Sequence, residues 1–378
     1  MRYLNYILKT LWRHRSRTLL TVSGSAVALF VFCFVGAVQE GMNNLRHQKE
    51  AEQSLIIFQA NKFCPATSHL PQDYDEKLLD LDGVRDAVPI QVFTNNCRAS
   101  LDVVVFYGIP PEKLQKVRDF KLIEGSWGDF VNNQDSAVIG KAVANRRGLH
   151  AGEKFKIGDL IVDIAGVFTS GNPAEENYIY SHLDYLQRRN GANLVGTVTQ
   201  LEVLLEEGVD PTEKSAQIDQ LFKGGPIETD TRAKGAFQAR SLSDLTQLIE
   251  LSHYLGLACV GLVLALVATT TLMSVQDRVK EYAVLQTLGF TGGKIFGLVL
   301  SESLVLSVAG GILGVGISML MLNFGSLAVG AEAVTIAFRP SWSLAILGMG
   351  VAAVSGLLAG VAPAWQASRI EIVPALRQ

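Results

Sequence analysis

Four long stretches without Asp, Glu, Lys or Arg dominate the hydropathy pattern of this 378-residue chain. They are Thr18–Val38, Leu251–Gln276, Ser303–Ala331 and Pro340–Ser368. Each exceeds the roughly 20 apolar residues that a helix needs to cross a bilayer. Helix is the default within lipid, because it satisfies its own backbone hydrogen bonds. We therefore predict membrane-spanning helices at residues 18–38, 251–276, 295–322 and 342–365.

The region between the first and second spans, residues 39–250, alternates short apolar runs with polar segments. The strand-like runs are residues 54–59, 87–93, 102–109, 136–140, 154–168, 177–181 and 197–205. The helix-like stretches are residues 73–81, 141–149 and 210–222. This mixed order is typical of an α+β domain rather than a β-sandwich. The predicted fold class is thus a four-helix (1+3) membrane protein with a large inserted α+β domain.

Both ends of the inserted domain contain helix-compatible sequence. Residues 39–53 are polar, and residues 241–255 carry Leu at helical spacing and run into the second span. These segments fit a helical stalk that couples the domain to the membrane, and a buried helix face fits residues 241–255 equally well. Residues 1–17 combine aromatic and basic side chains, as in an amphipathic interfacial helix. A short loop at 323–341 and a tail at 366–378 complete the predicted organisation.

Basic residues near the spans predict the orientation, because cytoplasmic loops carry an excess of Lys and Arg. Ten basic residues precede the first span, lie between the second and third, or follow the fourth, whereas the loop at 323–341 has only Arg339. We expect a multi-pass protein of the inner (cytoplasmic) membrane, with both termini cytoplasmic and residues 39–250 outside. The first stretch also resembles a signal peptide. However, 21 uncharged residues make a long core and no clear cleavage site follows, so a retained anchor is favoured.

Charge and cysteine usage narrow the function of the inserted domain. Residues 39–250 carry 22 basic and 31 acidic residues, a net charge of −9, which disfavours nucleic-acid binding. Cys33 and Cys259 fall within spans and suit small apolar positions. Cys64 and Cys97 fall in the inserted domain, where an oxidising compartment would permit a disulfide, bonded and free states being equally compatible with the sequence. No flanking His or Cys gives these cysteines metal-ligand spacing, so no metal site is predicted.

The loop between the second and third spans, residues 277–294, is the candidate functional element. It combines charged residues with an apolar helical face and a Gly-rich turn. The residues that would couple it to a soluble partner are Asp277, Arg278, Lys280, Glu281, Tyr282, Leu285, Leu288 and Gly289. Gly289 is expected to end the helix. A partner that pushes on such a helix would move both adjoining spans.

Recognisable catalytic motifs are missing from the sequence. The stretch GFTGGK at 289–294 lacks the spacing of a Walker A loop and the Ser or Thr after its Lys. The six His residues are scattered, and no nucleophile–base pair stands at recognisable spacing. We expect the chain not to be an enzyme and to carry no ATP site or other cofactor.

Small residues and one acid mark the third and fourth spans. Gly310/Gly314 and Gly356/Gly360 are small-xxx-small pairs that allow helices to approach closely, either within the subunit or at a dimer seam. Glu302 lies near the start of the third span, about two turns beyond Lys294. We place it near the inner interface and do not assign it a proton-relay role.

The sequence resembles ABC-transporter permeases of the MacB/FtsX/lipoprotein-release (LolC/E) type. Residues 274–314 are similar to the family's coupling region, with AVLQTLG followed by a Gly-rich turn and a Glu-containing span with Gly-Gly. The segments PAWQASRIEIVPALR at 363–377 and RSRTLLT near the start are also similar to family motifs. In the inserted domain, FYGIPPEKL, KLIEGSW and SAVIGKAVANRRGLHAGEKFKI resemble segments of the MacB-like periplasmic core domain. Phe290 and the position of Pro374 depart modestly from the pattern.

The resemblance implies a dimeric permease that works with two copies of a separate ATP-binding subunit, which would bind ATP and Mg²⁺. The second permease copy would be identical or a paralogue. Residues 276–293 would contact the ATPase, and motion would reach the outer domain for efflux or export. A periplasmic adaptor protein, an outer-membrane channel and membrane lipid are further expected partners.

Two alternative functions stay open from the sequence. A lipoprotein-releasing permease of the LolC/E type would hand its cargo to a chaperone through outer-domain loops. A mechanosignalling permease would instead activate a cell-wall hydrolase without transport, although the inserted domain is large for that role.

Overall fold

The computed structural model describes residues 13, 15–46, 53–62, 67–94, 104–172, 174–191, 194–241, 243–325, 328–331, 334–338 and 340–370. The chain divides into two compact units. The helical unit comprises Met1–Gln39, Leu248–Phe324 and Pro340–Gln378. The sheet unit comprises Glu40–Gln247 and Gly325–Arg339.

The α-helices have the following bounds. They are α1 (Arg15–Arg46), α2 (Tyr74–Leu79), α3 (Pro111–Val117), α4 (Trp127–Asn132), α5 (Lys141–Arg147), α6 (Leu183–Asn190), α7 (Pro211–Leu221), α8 (Lys234–Ser241), α9 (Ser243–Asp277), α10 (Val279–Thr287), α11 (Gly292–Gly325) and α12 (Trp342–Ser368). A 3₁₀ turn covers Glu175–Asn177.

The described strands belong to the sheet unit. They are β1 (Ser54–Gln59), β2 (Leu70–Pro71), β3 (Val84–Thr94), β4 (Val105–Ile109), β5 (Phe120–Gly125), β6 (Ser136–Gly140), β7 (Lys154–Ile157), β8 (Leu160–Ser170), β9 (Tyr178–His182), β10 (Thr197–Val198), β11 (Gln200–Leu205), β12 (Thr229–Ala233), β13 (Ala328–Ala331) and β14 (Val334–Ala337). The main sheet has the order β12-β1-β11-β3-β4-β9-β6-β8-β5, with β7 paired to β8. Only the β4–β9 and β6–β8 pairings of this sheet are parallel among the described strands.

Among the described residues, four helices of the helical unit are long and apolar enough to cross a membrane. They cover Arg15–Gly41, Leu251–Asp277, Gly292–Phe324 and Trp342–Ser368. The predicted 1+3 arrangement, with a large α/β domain between the first and second spans, is thus confirmed. α1 extends beyond the predicted end of the first span, and α9 continues without a break from the polar residues before the second span.

The sheet unit is built on strands that bury side chains on both faces. Along β4, Val105 and Ile109 lie in one apolar cluster while Phe106 lies in another. Along β9, Tyr178 and Tyr180 lie in the first cluster and Ile179 in the second. Successive side chains of a strand point to opposite faces, so both faces of this sheet are covered. This explains why the strand sequences read as continuous apolar runs rather than alternating ones.

A hairpin from the predicted loop at 323–341 is part of the sheet unit. Strands β13 and β14 pair antiparallel, with Ala328 opposite Ala337. The backbone N–H of Thr335 donates to the Tyr178 hydroxyl at 3.2 Å, and Thr335 is buried. The hairpin is therefore bonded to a strand that lies far earlier in the chain.

Candidate coupling site

The short helix α10 is separated from the preceding span by a break. α9 ends at Asp277, and Arg278 leaves helical geometry with φ −112° and ψ 16°. The N–H of Tyr282 still donates to the Arg278 carbonyl at 3.0 Å, so a new helix begins at once. The helix is therefore interrupted at one residue, and Arg278 is the joint between α9 and α10.

At its other end, α10 stops in a glycine cap. Gly289 has φ +92°, a conformation that favours glycine. Its N–H donates to the Gln286 carbonyl, and the Phe290 N–H donates to the Leu285 carbonyl, both at 3.0 Å. This pair of hydrogen bonds is the Schellman motif, so Gly289 ends the helix as the sequence predicts.

α10 has one buried side and one exposed side. Tyr282 and Ala283 are fully buried, and Leu285 is partly buried. On the other side, Val284 is 47% exposed and Leu288 is 72% exposed. The buried side packs on an apolar cluster, named here the joint cluster. Its buried members are Val275, Tyr282, Ile295, Leu298, Val299, Ala364 and Ala367, from α9, α10, α11 and α12.

Acidic residues at the joint are paired with one arginine of α1 and one that precedes it. Asp277 Oδ2 lies 2.9 Å from Arg17 Nη1. Glu281 Oε1 lies 3.5 Å from Arg13 Nη1, and Glu281 Oε2 accepts from Arg278 Nε at 2.9 Å. These carboxylates already have partners within the chain.

A buried ion pair lies at the same joint. Arg278 Nη1 donates to Glu302 Oε2 at 3.0 Å, and the Ser274 hydroxyl donates to Glu302 Oε1 at 3.1 Å. The Arg278 and Glu302 side chains are 3% and 5% exposed. The Arg278 guanidinium also lies 5.1 Å from the ring centre of Tyr282.

The structure thus separates the sequence-predicted coupling residues into two groups. Asp277, Lys280, Leu288 and Gly289 are exposed, and Glu281 is largely so. Arg278 and Tyr282 are buried, and Leu285 is partly buried. The predicted coupling residues therefore do not all lie on one exposed surface, and Arg278 and Tyr282 are the ones that do not. The physical reason is the turn at Arg278, which directs its side chain toward α11.

Glu302 is the residue that sequence reasoning did not assign to this site. A signal was present, because Glu302 is a lone acid in an apolar span and Arg278 directly follows another span. A charge in such surroundings requires a partner. The pairing itself depends on how α11 is rotated against α9, which the sequence does not specify.

The four predicted packing glycines all face other helices of the helical unit. A β-carbon on Gly310 would come 1.9 Å from the Ser25 hydroxyl, and one on Gly314 would come 2.3 Å from the Ala26 carbonyl. The two glycines of the fourth span make similar close contacts. A β-carbon on Gly356 would meet Ser307 at 2.7 Å, and one on Gly360 would meet Ser303 at 2.0 Å. These glycines therefore allow α11 to approach α1 and α12 to approach α11 within one subunit.

Two family models match this chain and together cover most of it. The MacB-like periplasmic core domain matches residues 18–221, and the FtsX-like permease C-terminal model matches residues 255–372. The chain belongs to the MacB/FtsX-type family of ABC transporter permeases. With its four apolar helices, this permease is a multi-pass inner-membrane protein.

Relatives of the permease differ in length. An uncharacterized ABC transporter permease of Methanocaldococcus jannaschii is 23% identical, over 99% of this chain and 97% of its own length. The pyoverdine export ATP-binding/permease protein of Pseudomonas fluorescens is 26% identical over 97% of this chain, which spans 58% of that protein. The crystal structure of the periplasmic region of MacB from Actinobacillus actinomycetemcomitans matches 52% of this chain and 92% of its own, with 15% identity and a TM-score of 0.36.

The sheet unit of the permease has its own buried charge cluster. Arg118, just after α3, donates through both Nη atoms to the Glu202 carboxylate of β11, with Nη1 at 3.2 Å from Oε1. Lys234 Nζ donates to Glu202 Oε1 at 2.8 Å, and Arg118 Nε lies 3.5 Å from Glu175 Oε1. Burial alone would raise the pKa of Glu202, but Arg118 and Lys234 outweigh it and lower that pKa to about 2. Glu202 is therefore ionised at neutral pH.

A cleft of about 440 Å³ opens beside this cluster. Its charged lining residues are Arg85, Lys116, Arg118, Asp119, Glu202 and Lys234. Such a lining suits polar groups rather than lipid tails. Nearby, burial raises the pKa of Tyr178, the partner of the hairpin, to about 12, so its hydroxyl stays protonated.

The remaining predicted site residues are cysteines. Cys64 and Cys97 lie outside the described residues, so their proposed disulfide stays a prediction. Cys33 and Cys259 are buried free thiols in α1 and α9.

Proposed function

We propose that this chain is the transmembrane permease subunit of an ABC transporter of the MacB/FtsX type. It transmits the ATP-driven motion of a partner ATPase to the periplasmic core domain, which exports or extracts a substrate. The observation that carries the proposal is the exposed apolar side of α10, formed by Val284 and Leu288. This side belongs to a short helix held between two spans.

Exposed apolar side chains at the joint favour docking of a soluble protein. Leu288 directly follows α10 and precedes Gly289, and its side chain is more exposed than that of Val284. The other side of α10 packs in the joint cluster with residues of three other helices. A force applied at Leu288 therefore acts on a packed core rather than on a loose loop. An ATPase that contacts α10 differently in its two nucleotide states would shift the permease between two conformations.

The partners follow from this mechanism. ATP and Mg²⁺ would bind to the ATPase and not to this chain, which itself would carry no catalytic site. Two ATPase copies would act on a dimer of permeases, identical or paralogous, with both termini and α10 in the cytoplasm. In a cell with an outer membrane, an adaptor protein and an outer-membrane channel would complete the export path.

Leu288→Asp tests the proposal. The permease is purified in lipid nanodiscs with the ATP-binding subunit that co-purifies from its own cells, and ATP hydrolysis is measured. A charge in the docking side should lower co-purification or permease-stimulated hydrolysis about tenfold or more, as for an interface hot spot. The permease should still accumulate in the membrane, because Leu288 is exposed.

The matched control is Leu221→Asp, which places the same charge on an exposed leucine at the end of α7 in the sheet unit. It should leave hydrolysis unchanged. Wild-type hydrolysis and co-purification with Leu288→Asp would show that α10 does not dock the ATPase.

A further inference from the structure

Two opposite charges are buried at the joint where α9 meets α10. The Arg278–Glu302 pair has a 3.0 Å contact, and both side chains are almost completely enclosed. Ser274, one turn before the joint in α9, donates to the second carboxylate oxygen. One carboxylate of α11 therefore holds both the end of α9 and the start of α10.

Stability is a poor explanation for this pair. Removing two charges from water costs several kcal/mol per ion, and a well-packed apolar pair of similar volume often serves a fold as well or better. The surrounding joint cluster is apolar and could accommodate such a pair. Directional contacts, unlike apolar ones, specify a single geometry between the elements that they join.

The joint needs such a geometric constraint. α10 is bounded by the helix break at Arg278 and by the left-handed glycine at Gly289. The start of α10 also lacks a side-chain cap hydrogen bond. Between these two breaks, the orientation of the nine-residue helix depends on its side-chain contacts.

Arg278 connects the buried acid with the exposed part of α10. Its Nε donates to Glu281 at 2.9 Å, and Glu281 in turn lies 3.5 Å from Arg13. A chain of alternating charges thus runs from Arg13 through Glu281 and Arg278 to Glu302. It begins at the exposed surface and ends inside the third span.

We propose that Arg278 and Glu302 are positioning residues that fix α10 against α11. With the pair intact, displacement of α10 moves the third span as a rigid lever; without it, the displacement is absorbed at the joint. This inference rests on the proposed coupling function. It assigns the transmission step to an internal ion pair rather than to the surface that the ATPase contacts.

The test is the double variant Arg278→Met/Glu302→Leu, in the full permease with its co-purified ATPase in nanodiscs. Because both charges are removed together, no uncompensated charge remains buried, and the variant should fold and co-purify as the wild type does. Permease-stimulated ATP hydrolysis, and the change in distance between spin labels on α10 and α11 on adding ATP, should both fall, hydrolysis by about tenfold. The control Ser307→Ala/Ser355→Ala removes a buried polar contact between α11 and α12 and should retain both signals.

If the ion pair only stabilises the fold, a different result is expected. In that case the double variant, once folded and assembled, keeps wild-type hydrolysis and the wild-type distance change, and the inference is wrong. If the double variant does not assemble, the charge-swapped variant Arg278→Glu/Glu281→Gln/Glu302→Arg is measured instead. It preserves a buried pair, and Glu281→Gln removes the acid that would otherwise face the new carboxylate. The inference is supported if the swapped variant assembles and transmits normally while Arg278→Glu alone does not transmit. It is contradicted if the swapped and single variants lose transmission to the same extent.

The outcome is separable from that of the docking test. Loss of co-purification in Leu288→Asp concerns the exposed apolar side of α10, whereas the double variant leaves Val284 and Leu288 in place. A normal Leu288→Asp complex would overturn the proposed function. If the double variant keeps wild-type hydrolysis and distance change while Leu288→Asp is defective, only the positioning role is overturned.

Discussion

The two buried charge clusters of the permease differ in the number of cations around the carboxylate. In the sheet unit, Glu202 accepts from Arg118 and from Lys234. In the helical unit, Glu302 has Arg278 as its only cation among the described residues, with Ser274 as a neutral donor. Both carboxylates are buried, but only the first has a second cation in reserve.

This difference shows how each unit uses buried charge. The cluster around Glu202 lies beside an open cleft and is reinforced, so it suits a domain that keeps its shape. The pair at Glu302 lies at a joint between helices and depends on one arginine. It therefore suits a joint that must hold one fixed geometry. Removal of one partner from each cluster tests this difference.

The largest effect is expected for Arg278→Met. This change leaves Glu302 buried without a cation, which typically costs about 3–5 kcal/mol. The folded permease should lose that much stability, measured as thermal unfolding in detergent or as the amount that survives in the membrane. The double variant with Glu302→Leu should recover most of the loss. A single variant as stable as the wild type would mean that the pair is not energetically coupled.

Acid should weaken the sheet unit through Glu202. The pKa of Glu202 in the folded protein is about 2, below the ordinary value of 4.5, so the stabilisation is present above about pH 4.5 and is lost as the pH falls toward 2. The shift corresponds to about 3 kcal/mol. Thermal unfolding between neutral pH and about pH 2 should show this loss in the wild type. Glu202→Gln should be less stable at neutral pH and show a flatter profile. Parallel profiles would remove Glu202 as the cause.

Arg118→Met should cost less than Arg278→Met. Glu202 keeps Lys234, and Glu175 keeps the Ser170 hydroxyl at 2.7 Å. We expect a loss of about 1–3 kcal/mol, the cost of lost hydrogen bonds to charged groups. The same unfolding measurement compares the two variants directly. A loss equal to that of Arg278→Met would show that the second cation gives no reserve.

Local sequence signals account for the parts of the fold that could be predicted. The spans are recognisable because each is identified by the length and apolar composition of one continuous segment. β1 and β6 were predicted at their observed bounds because both are short apolar runs. β12 was missed because its sequence, TDTRA, is polar and is extended through pairing with β1. Strands of this kind depend on a partner distant in the chain.

The candidate site shows the same limit. Gly289 was predictable because a left-handed helix end favours glycine, and Leu288 was predicted among the coupling residues. The inward position of Arg278 was not predictable, since it follows from the helix break and from the rotation of α11. Only the tertiary structure brings Arg278 to Glu302.

The hairpin β13–β14 has a consequence for how the permease is made. Its contact between Thr335 and Tyr178 spans 157 residues, and the second and third spans both lie between them in the sequence. At ribosomal speeds of roughly 5–20 residues per second, Thr335 is synthesised on the order of ten seconds after Tyr178. The sheet unit therefore cannot bind its hairpin β13–β14 until two further spans have been synthesised. Membrane insertion is thus a step in the maturation of the domain outside the spans, and faulty insertion of the third helix would leave that domain unfinished.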